Sequence, residues 1–245
     1  MVGQTVIFDG HRLNDRFYVG EAEVGLPEFA PRTEERQFMD GSAVRGMRLG
    51  CPEISIELVA KPVHGETFRE ALSDLMAWLH VDGPRKLVLS DDHGLWRMCV
   101  PTGAPQIGDA KWNDRVTVTF LQTEPALYGI EREVTVPSGG TMSFAVGGDY
   151  PTRPTITSDA ATRDPNTELW GVRLDEGDVM RVDVPVSAAS TIRMDCDART
   201  CAVNGATTIP TLDSDWFVLE PGTHAIRNDQ GTGACTVSWY ERWHR

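Results

Sequence analysis

Beyond residue 131 the sequence loses any helical period and becomes a succession of short apolar–polar alternations separated by turn residues, a texture that few folds accommodate. The runs Glu131–Val136, Thr141–Val146, Arg153–Thr157, Leu169–Leu174 and Val179–Val184 come first. Thr191–Cys196, Arg199–Val203, Phe217–Leu219, Thr223–Arg227 and Cys235–Tyr240 follow. Between them lie Ser138-Gly139-Gly140, Gly147-Gly148-Asp149, Asp175-Glu176-Gly177-Asp178, Asn204-Gly205 and Glu220-Pro221-Gly222. Residues two apart share one face of a strand, so each run can bury a single face. Recurrence at roughly 8–12 residues is the spacing of an all-β sandwich or jelly roll.

The first half reads differently. Val6–Leu13 is a strand running into the turn Asp9-Gly10, and Tyr18-Val19-Gly20 is a second strand. Residues 25–46, with Pro27, Pro31 and the turn Asp40-Gly41-Ser42, form an extended excursion. Their apolar content is too thin for a core of their own, so the segment is expected to lie on its own domain or on a neighbouring subunit. Ile54–Ala60 alternates as a half-buried strand should. One helix follows: Thr67 and Glu70 make a capping box, and Phe68, Ala71, Leu72, Leu75, Trp78 and Leu79 fall on one stripe. Gly83-Pro84 ends it. The strands Arg85–Ser90 and Leu95–Val100 flank the turn Asp91-Asp92-His93-Gly94, and Val116, Val118 and Phe120 alternate along a last strand before Glu124-Pro125. The chain is therefore expected to be mainly β, with an α+β domain carrying one helix over residues 1–130 and a β-sandwich domain over residues 131–245.

At 245 residues each of two domains could bury a core. Hydrophobic residues at 40% and charged residues at 24% exclude a disordered chain. No apolar run approaches the roughly 20 residues of a membrane helix, so no membrane insertion is expected. The start, Met1-Val2-Gly3-Gln4-Thr5, lacks the basic and apolar stretches of a secretory signal, which implies synthesis and retention in a cytoplasm. The net charge of −13 is evenly spread: 19 acids against 13 bases up to residue 130, and 17 against 10 after it. Neither half could hold a polyanion by its overall field. Apart from Lys61, Lys86 and Lys111 every base is Arg, a side chain suited to multi-bonded subunit contacts.

Catalytic patterns are missing from the sequence. It has no G-x-S-x-G, H-E-x-x-H, Walker loop or G-x-G-x-x-G after a strand, so no catalytic residue, cofactor or metal ligand is assigned. The six histidines, His11, His64, His80, His93, His224 and His244, are scattered. Cys51, Cys99, Cys196, Cys201 and Cys235 form no C-x-x-C and read as free thiols, although a Cys196–Cys201 bridge is sterically conceivable. Asp195 and Asp197 would share a face if their strand ran on, as paired glycosidase carboxylates require, but an acidic strand end is the commoner explanation. Asp91–Gly94 and Asp175–Asp178 carry potential metal ligands that turn chemistry already explains. Trp170 and Trp239 lie in alternating strands and read as core, whereas Trp216 is a candidate exposed aromatic for sugar binding.

Taken in order, these features resemble the distal tail proteins of siphophages. The N-terminal likeness rests on Asp9-Gly10, Asp40-Gly41 ahead of Arg48, the Ile54–Ala60 strand, the Thr67–His80 helix and the Leu87–Val100 hairpin. The C-terminal likeness rests on Thr191–Cys196, then Asn204-Gly205, then Asp215–Ile226 with its Phe217-Val218-Leu219-Glu220-Pro221-Gly222 run. The resemblance implies a galectin-like C-terminal sandwich and a virion protein of the tail tip, made in the host cytoplasm. It further implies a six-fold homo-oligomeric ring whose partners are the tail tube protein and the hub or receptor-binding proteins, with DNA passing through without specific binding. No catalytic residue is carried over. A carbohydrate- or receptor-binding module is the alternative, followed by a tail-associated hydrolase, and a tube protein or head–tail connector is a structural rival.

Overall fold

The Asp9-Gly10 turn folds the opening run back on itself, with φ of +48° and +82° at the two turn residues. In this computed structural model β1 (Val6–Phe8) pairs with β2 (His11–Arg12), Ile7 opposite Arg12. The described residues are 4–35, 40, 42–61, 67–107, 115–162, 169–175, 177–184, 189–230 and 233–244. Gly41, His64, Lys111 and Glu176, which figured in the sequence reading, lie outside them. The chain divides into two compact units, one ending at Leu127 and one spanning Tyr128–His244.

In the first unit β3 (Phe17–Val24), β6 (Glu53–Ala60), β7 (Arg85–Leu89), β8 (Arg97–Ile107) and β9 (Arg115–Gln122) join β1 and β2 in one antiparallel sheet. The order is β2-β1-β7-β8-β9-β6-β3. Ile54, Ile56 and Leu58 of β6 are buried while their neighbours are not, as the alternation of Ile54–Ala60 requires. The helix α1 (Phe68–Leu79) sets Ala71, Leu75 and Leu79 into the same core as Phe8, Phe17 and Phe120. Its capping box is formed: the Glu70 amide donates to Thr67 Oγ1 and the Thr67 amide donates to Glu70 Oε2. The bonds it accepts from the Thr67 amide and hydroxyl hold the exposed Glu70 carboxyl below its usual range. Trp78, expected in the core, is half-buried and stacks on the His11 ring at 5.1 Å.

The second unit is a sandwich. One sheet has the order β10-β19-β12-β15-β16-β17, built from β10 (Ala126–Val136), β12 (Thr155–Ala161), β15 (Ser190–Asp195), β16 (Thr200–Val203), β17 (Ala206–Thr208) and β19 (Cys235–His244). The other has β11 (Thr141–Val146), β13 (Leu169–Leu174), β14 (Asp178–Asp183) and β18 (Gly222–Gln230), in the order β11-β18-β13-β14. Ile156, Ile192, Met194 and Val237 from the first sheet share one core with Val146, Val172, Leu174 and Ile226 from the second. Trp170 and Trp239 are buried in it, as expected from their strands.

Three local expectations change. Phe217–Leu219 is no strand: Leu219 makes a single bridge to Thr152, and the alternation there reflects two buried side chains around an exposed Val218. The run expected to start at Arg153 starts at Thr155, after Pro154, whose lack of an N–H bars it from a ladder. β17 was not foreseen, because Ala206–Thr208 is too short to show alternation. It is set by Asn204-Gly205, at φ +52° and +77°, the doubly positive turn of a two-residue hairpin.

Candidate functional site

The segment read as an extended excursion is a two-stranded ribbon. β4 (Phe29–Glu35) and β5 (Ser42–Leu49) pair with each other and, among the described residues, with no other strand. Pro31 sits within β4, a residue that strands tolerate only at edges. At the root of the ribbon the Gly25 amide donates to the Glu53 carbonyl at 2.8 Å, and the Gly50 amide to the Glu28 carbonyl at 2.7 Å.

Residues directly opposite in an antiparallel pair lie on one face. The register sets Phe29 against Leu49, Pro31 against Met47 and, past a bulge, Thr33 against Val44. From the root to Val44 one face is therefore largely apolar, with Thr33 its polar member, while Arg32, Glu34 and Arg48 occupy the other. That apolar face is not covered by its own chain: Leu26 at the root is 86% exposed, Phe29 70%, Val44 63% and Met47 62%. A two-stranded ribbon is at best marginally stable in water by itself and needs something to pack against. An ion pair between Arg45 and Glu34 closes the ribbon on its charged side.

The candidate chemical positions resolve into turns and ion pairs. Asp92, from the Asp91–Gly94 turn, accepts two bonds from the buried Arg97 guanidinium, at 2.8 and 3.0 Å, and Arg97 also donates to Gln122 Oε1 at 2.9 Å. The carboxylate that looked like a metal ligand is thus half of a buried ion pair. His93 beside it takes the left-handed conformation at φ +52°. Asp195 ends β15 and accepts from the amides of Asp197 and Ala198, while Asp197 pairs with Arg153. The strand does not run on, and the two acids do not form a facing pair. Asp175 faces His224 across 2.5 Å, and the other ring nitrogen of His224 lies 2.7 Å from the Glu220 carbonyl, so neither nitrogen is free to act as a base. Among the described residues no group of three or more His, Cys, Asp or Glu side chains is placed to hold a metal ion.

All five cysteines are free, including Cys196 and Cys201. Burial pushes the thiols of Cys99, Cys196 and Cys235 up to about 12 and that of Cys201 to about 11, whereas Cys51 is exposed. Trp216 is half-buried against the sandwich core and lines an open groove of about 390 Å³ with Thr207, Thr208, Ile209 and Leu212. Sequence reasoning missed the Arg97–Asp92–Gln122 network and the amphipathic face of the ribbon. The first has no local signal. The second is hidden by the bulge at Arg32/Thr33, which breaks the period of two.

Residues 147–243 match the siphovirus-type tail component, C-terminal domain. Over 234 residues the chain is 25% identical to the distal tail protein of Bacillus phage SPP1, covering 89% of this chain and 87% of that one. The crystal structure of the SPP1 Dit protein, described as a paradigm of the hub adsorption apparatus in phages infecting Gram-positive bacteria, superposes with a TM-score of 0.75 at 20% identity, covering 98% of each chain. A chain of the phage P2 baseplate in its activated conformation superposes at 0.54 with 11% identity, covering 97% of this chain and 98% of that one. With a tail-component match in the second unit and a likeness in sequence and fold that runs through both, the chain is similar to siphovirus distal tail proteins.

Proposed function

We propose that copies of this chain close into a six-fold ring that joins the tail tube to the adhesion apparatus and lets DNA pass through. The similarity to distal tail proteins supports a structural place in the virion tail. The observation that carries the ring is the uncovered apolar face of Phe29, Pro31, Val44 and Met47 on a ribbon that, among the described residues, no other strand pairs. Each such side chain gains about 1.5–3 kcal/mol when fully buried, so a neighbouring copy that covers several of them would stabilise both ribbon and ring. A contact between different patches on successive copies repeats until the rotation closes. The hub adsorption apparatus named for the SPP1 protein supports the same placement, with the tail tube and receptor-binding proteins as the proposed partners. Synthesis in the host cytoplasm and the absence of catalysis complete the proposal.

Light scattering with negative-stain imaging tests it. The wild-type chain, alone or with a tube protein, should give six-fold particles, and F29D/M47D should give monomers with an unchanged circular dichroism spectrum. Wild-type protein that remains monomeric in both settings would count against the ring. The second function, a receptor- or carbohydrate-binding module, is favoured by one observation, the groove beside Trp216. Trp216→Ala would abolish retention on a glycan array under that reading and leave ring formation intact.

A further inference from the structure

Two turns singled out in the sequence, Asp175–Asp178 and Glu220-Pro221-Gly222, meet at one side chain, His224 of β18. Both ring nitrogens of His224 face oxygens that can only accept: Nδ1 is 2.5 Å from Asp175 Oδ2 and Nε2 is 2.7 Å from the Glu220 carbonyl oxygen. A neutral imidazole has one N–H, so one of these contacts would set two acceptors against each other. Only the doubly protonated ring satisfies both. Asp175 is committed further: its Oδ1 accepts from the Ala225 amide at 2.7 Å and its own amide donates to the Ala225 carbonyl at 2.9 Å. It does this from a left-handed conformation, φ +48°, which costs a non-glycine residue free energy unless bonds hold it there.

We propose that His224 is an imidazolium clamp, which fastens the β13–β14 turn to the turn that opens β18 and lets go when the ring loses a proton as the pH rises. The acceptors that face it are the Asp175 carboxylate from the β13–β14 turn and the carbonyl of Glu220, whose carboxylate adds its charge from the turn before β18. From β11, directly opposite in register, it meets the uncharged Phe144 ring at 6.0 Å. Phe144 in turn lies 4.7 Å from Trp239 of the sandwich core, so the clamp reaches the packing between the sheets.

The direction of titration agrees with the geometry. Burial works against the charged ring, but the bonds to Asp175 and Glu220 outweigh it and raise the imidazole above its ordinary 6.5. Burial likewise opposes the Asp175 carboxylate, and the bonds from Ala225 and His224 outweigh it and hold that group low. A raised histidine contributes stability that is complete below the unfolded value and is lost as pH rises through the folded value. A lowered aspartate contributes stability that is lost as pH falls through its folded value. The clamp is therefore closed in a window bounded by Asp175 on the acid side and by His224 on the alkaline side.

Long-range proton–nitrogen NMR of the ring in the full chain, followed by amide exchange at Ala225, tests the clamp. Below its titration midpoint both ring nitrogens of His224 should carry protons, and that midpoint should lie above the ordinary value of about 6.5. Asp175→Asn should lower that midpoint. Protection of the Ala225 amide should fall across the midpoint by more than base catalysis alone explains, and in His224→Gln this step should vanish. A midpoint at or below about 6.5 overturns the proposal whatever the variants do. So does an unmoved midpoint in an Asp175→Asn chain whose spectrum stays native.

Discussion

At Gly148, φ is +95° and a Cβ placed on the backbone would lie 2.0 Å from the Arg242 carbonyl oxygen. That oxygen also accepts from the amides of Asp149 and Tyr150, so the backbone cannot retreat without losing both bonds. Gly148→Ala should lower stability by about 3 kcal/mol or more, visible as a reduced urea midpoint, whereas Gly139→Ala, in open space at φ +63°, should cost less than half as much. Charge is as constrained at Arg97. Both partners are buried, and Asp92→Asn would leave the guanidinium facing a neutral amide at a cost of about 3–5 kcal/mol. A loss under about 1 kcal/mol in a urea titration would show that water reaches the pair. The thiols give a third outcome at this scale. Thiolates, not thiols, react, and Cys99, Cys196, Cys201 and Cys235 are held protonated by burial. A disulfide-exchange dye should therefore titrate Cys51 rapidly in the native protein and all five in denaturant. Fewer than five after unfolding would reveal a bridge.

At the scale of elements, the helix was legible because its start is written twice, once in the capping pair Thr67 and Glu70 and once in the stripe from Ala71 to Leu79. Thr67→Ala removes the side-chain acceptor for the Glu70 amide and should cost about 1 kcal/mol, read as a fall in melting temperature that Thr67→Ser largely restores. Strands with one buried face, such as β6 and β9, were legible for the same kind of reason: alternation and burial carry the same information. The misses lie where an element is defined by something other than its own period. β17 is set by the Asn204-Gly205 turn and by β16, and Phe217–Leu219 alternates because loop side chains fill the sandwich core. The ribbon fell between these cases. Its thin apolar content led to the expectation that it lies on its own domain or on a neighbouring subunit, and Phe29, Val44 and Met47 are exposed. Its pairing was obscured by Pro31 and by the bulge. The Arg97 network was invisible because Asp92, Arg97 and Gln122 come from a turn and two strands, and nothing in a linear sequence couples them.

On the scale of the whole molecule the two halves carry similar charge excesses, and the described residues form two cores with no shared member. If the chain forms a ring around passing DNA, mixed charges with a mild acidic excess should keep the wall from trapping phosphates, since each neutralised phosphate adds salt-dependent affinity. Assembled particles should then show no DNA retention at moderate salt in a filter assay, and tight, salt-sensitive binding would refute a non-adhesive lumen. The separate cores lead to the proposal that the second unit folds without the first, and that it should be cut at Tyr128. The sequence placed the change of texture near residue 131, but β10 begins at Ala126. Tyr128, within it, meets Tyr240 edge-on at 5.9 Å and lies 4.8 Å from the buried Arg242 guanidinium, which Tyr150 faces from 5.0 Å. A fragment starting at residue 131 deletes Tyr128 and exposes the Arg242 guanidinium on one side, whereas one starting at residue 128 keeps the aromatic ring over it. A cation–π contact of this kind is worth about 0.5–2 kcal/mol, before the packing of the ring is counted. Residues 128–245 should therefore give a dispersed amide spectrum and a cooperative melt, and residues 131–245 a melt several degrees lower. Equal melting temperatures would show that Tyr128 contributes nothing to this unit, and a collapsed spectrum from both fragments would show that the second core depends on the first.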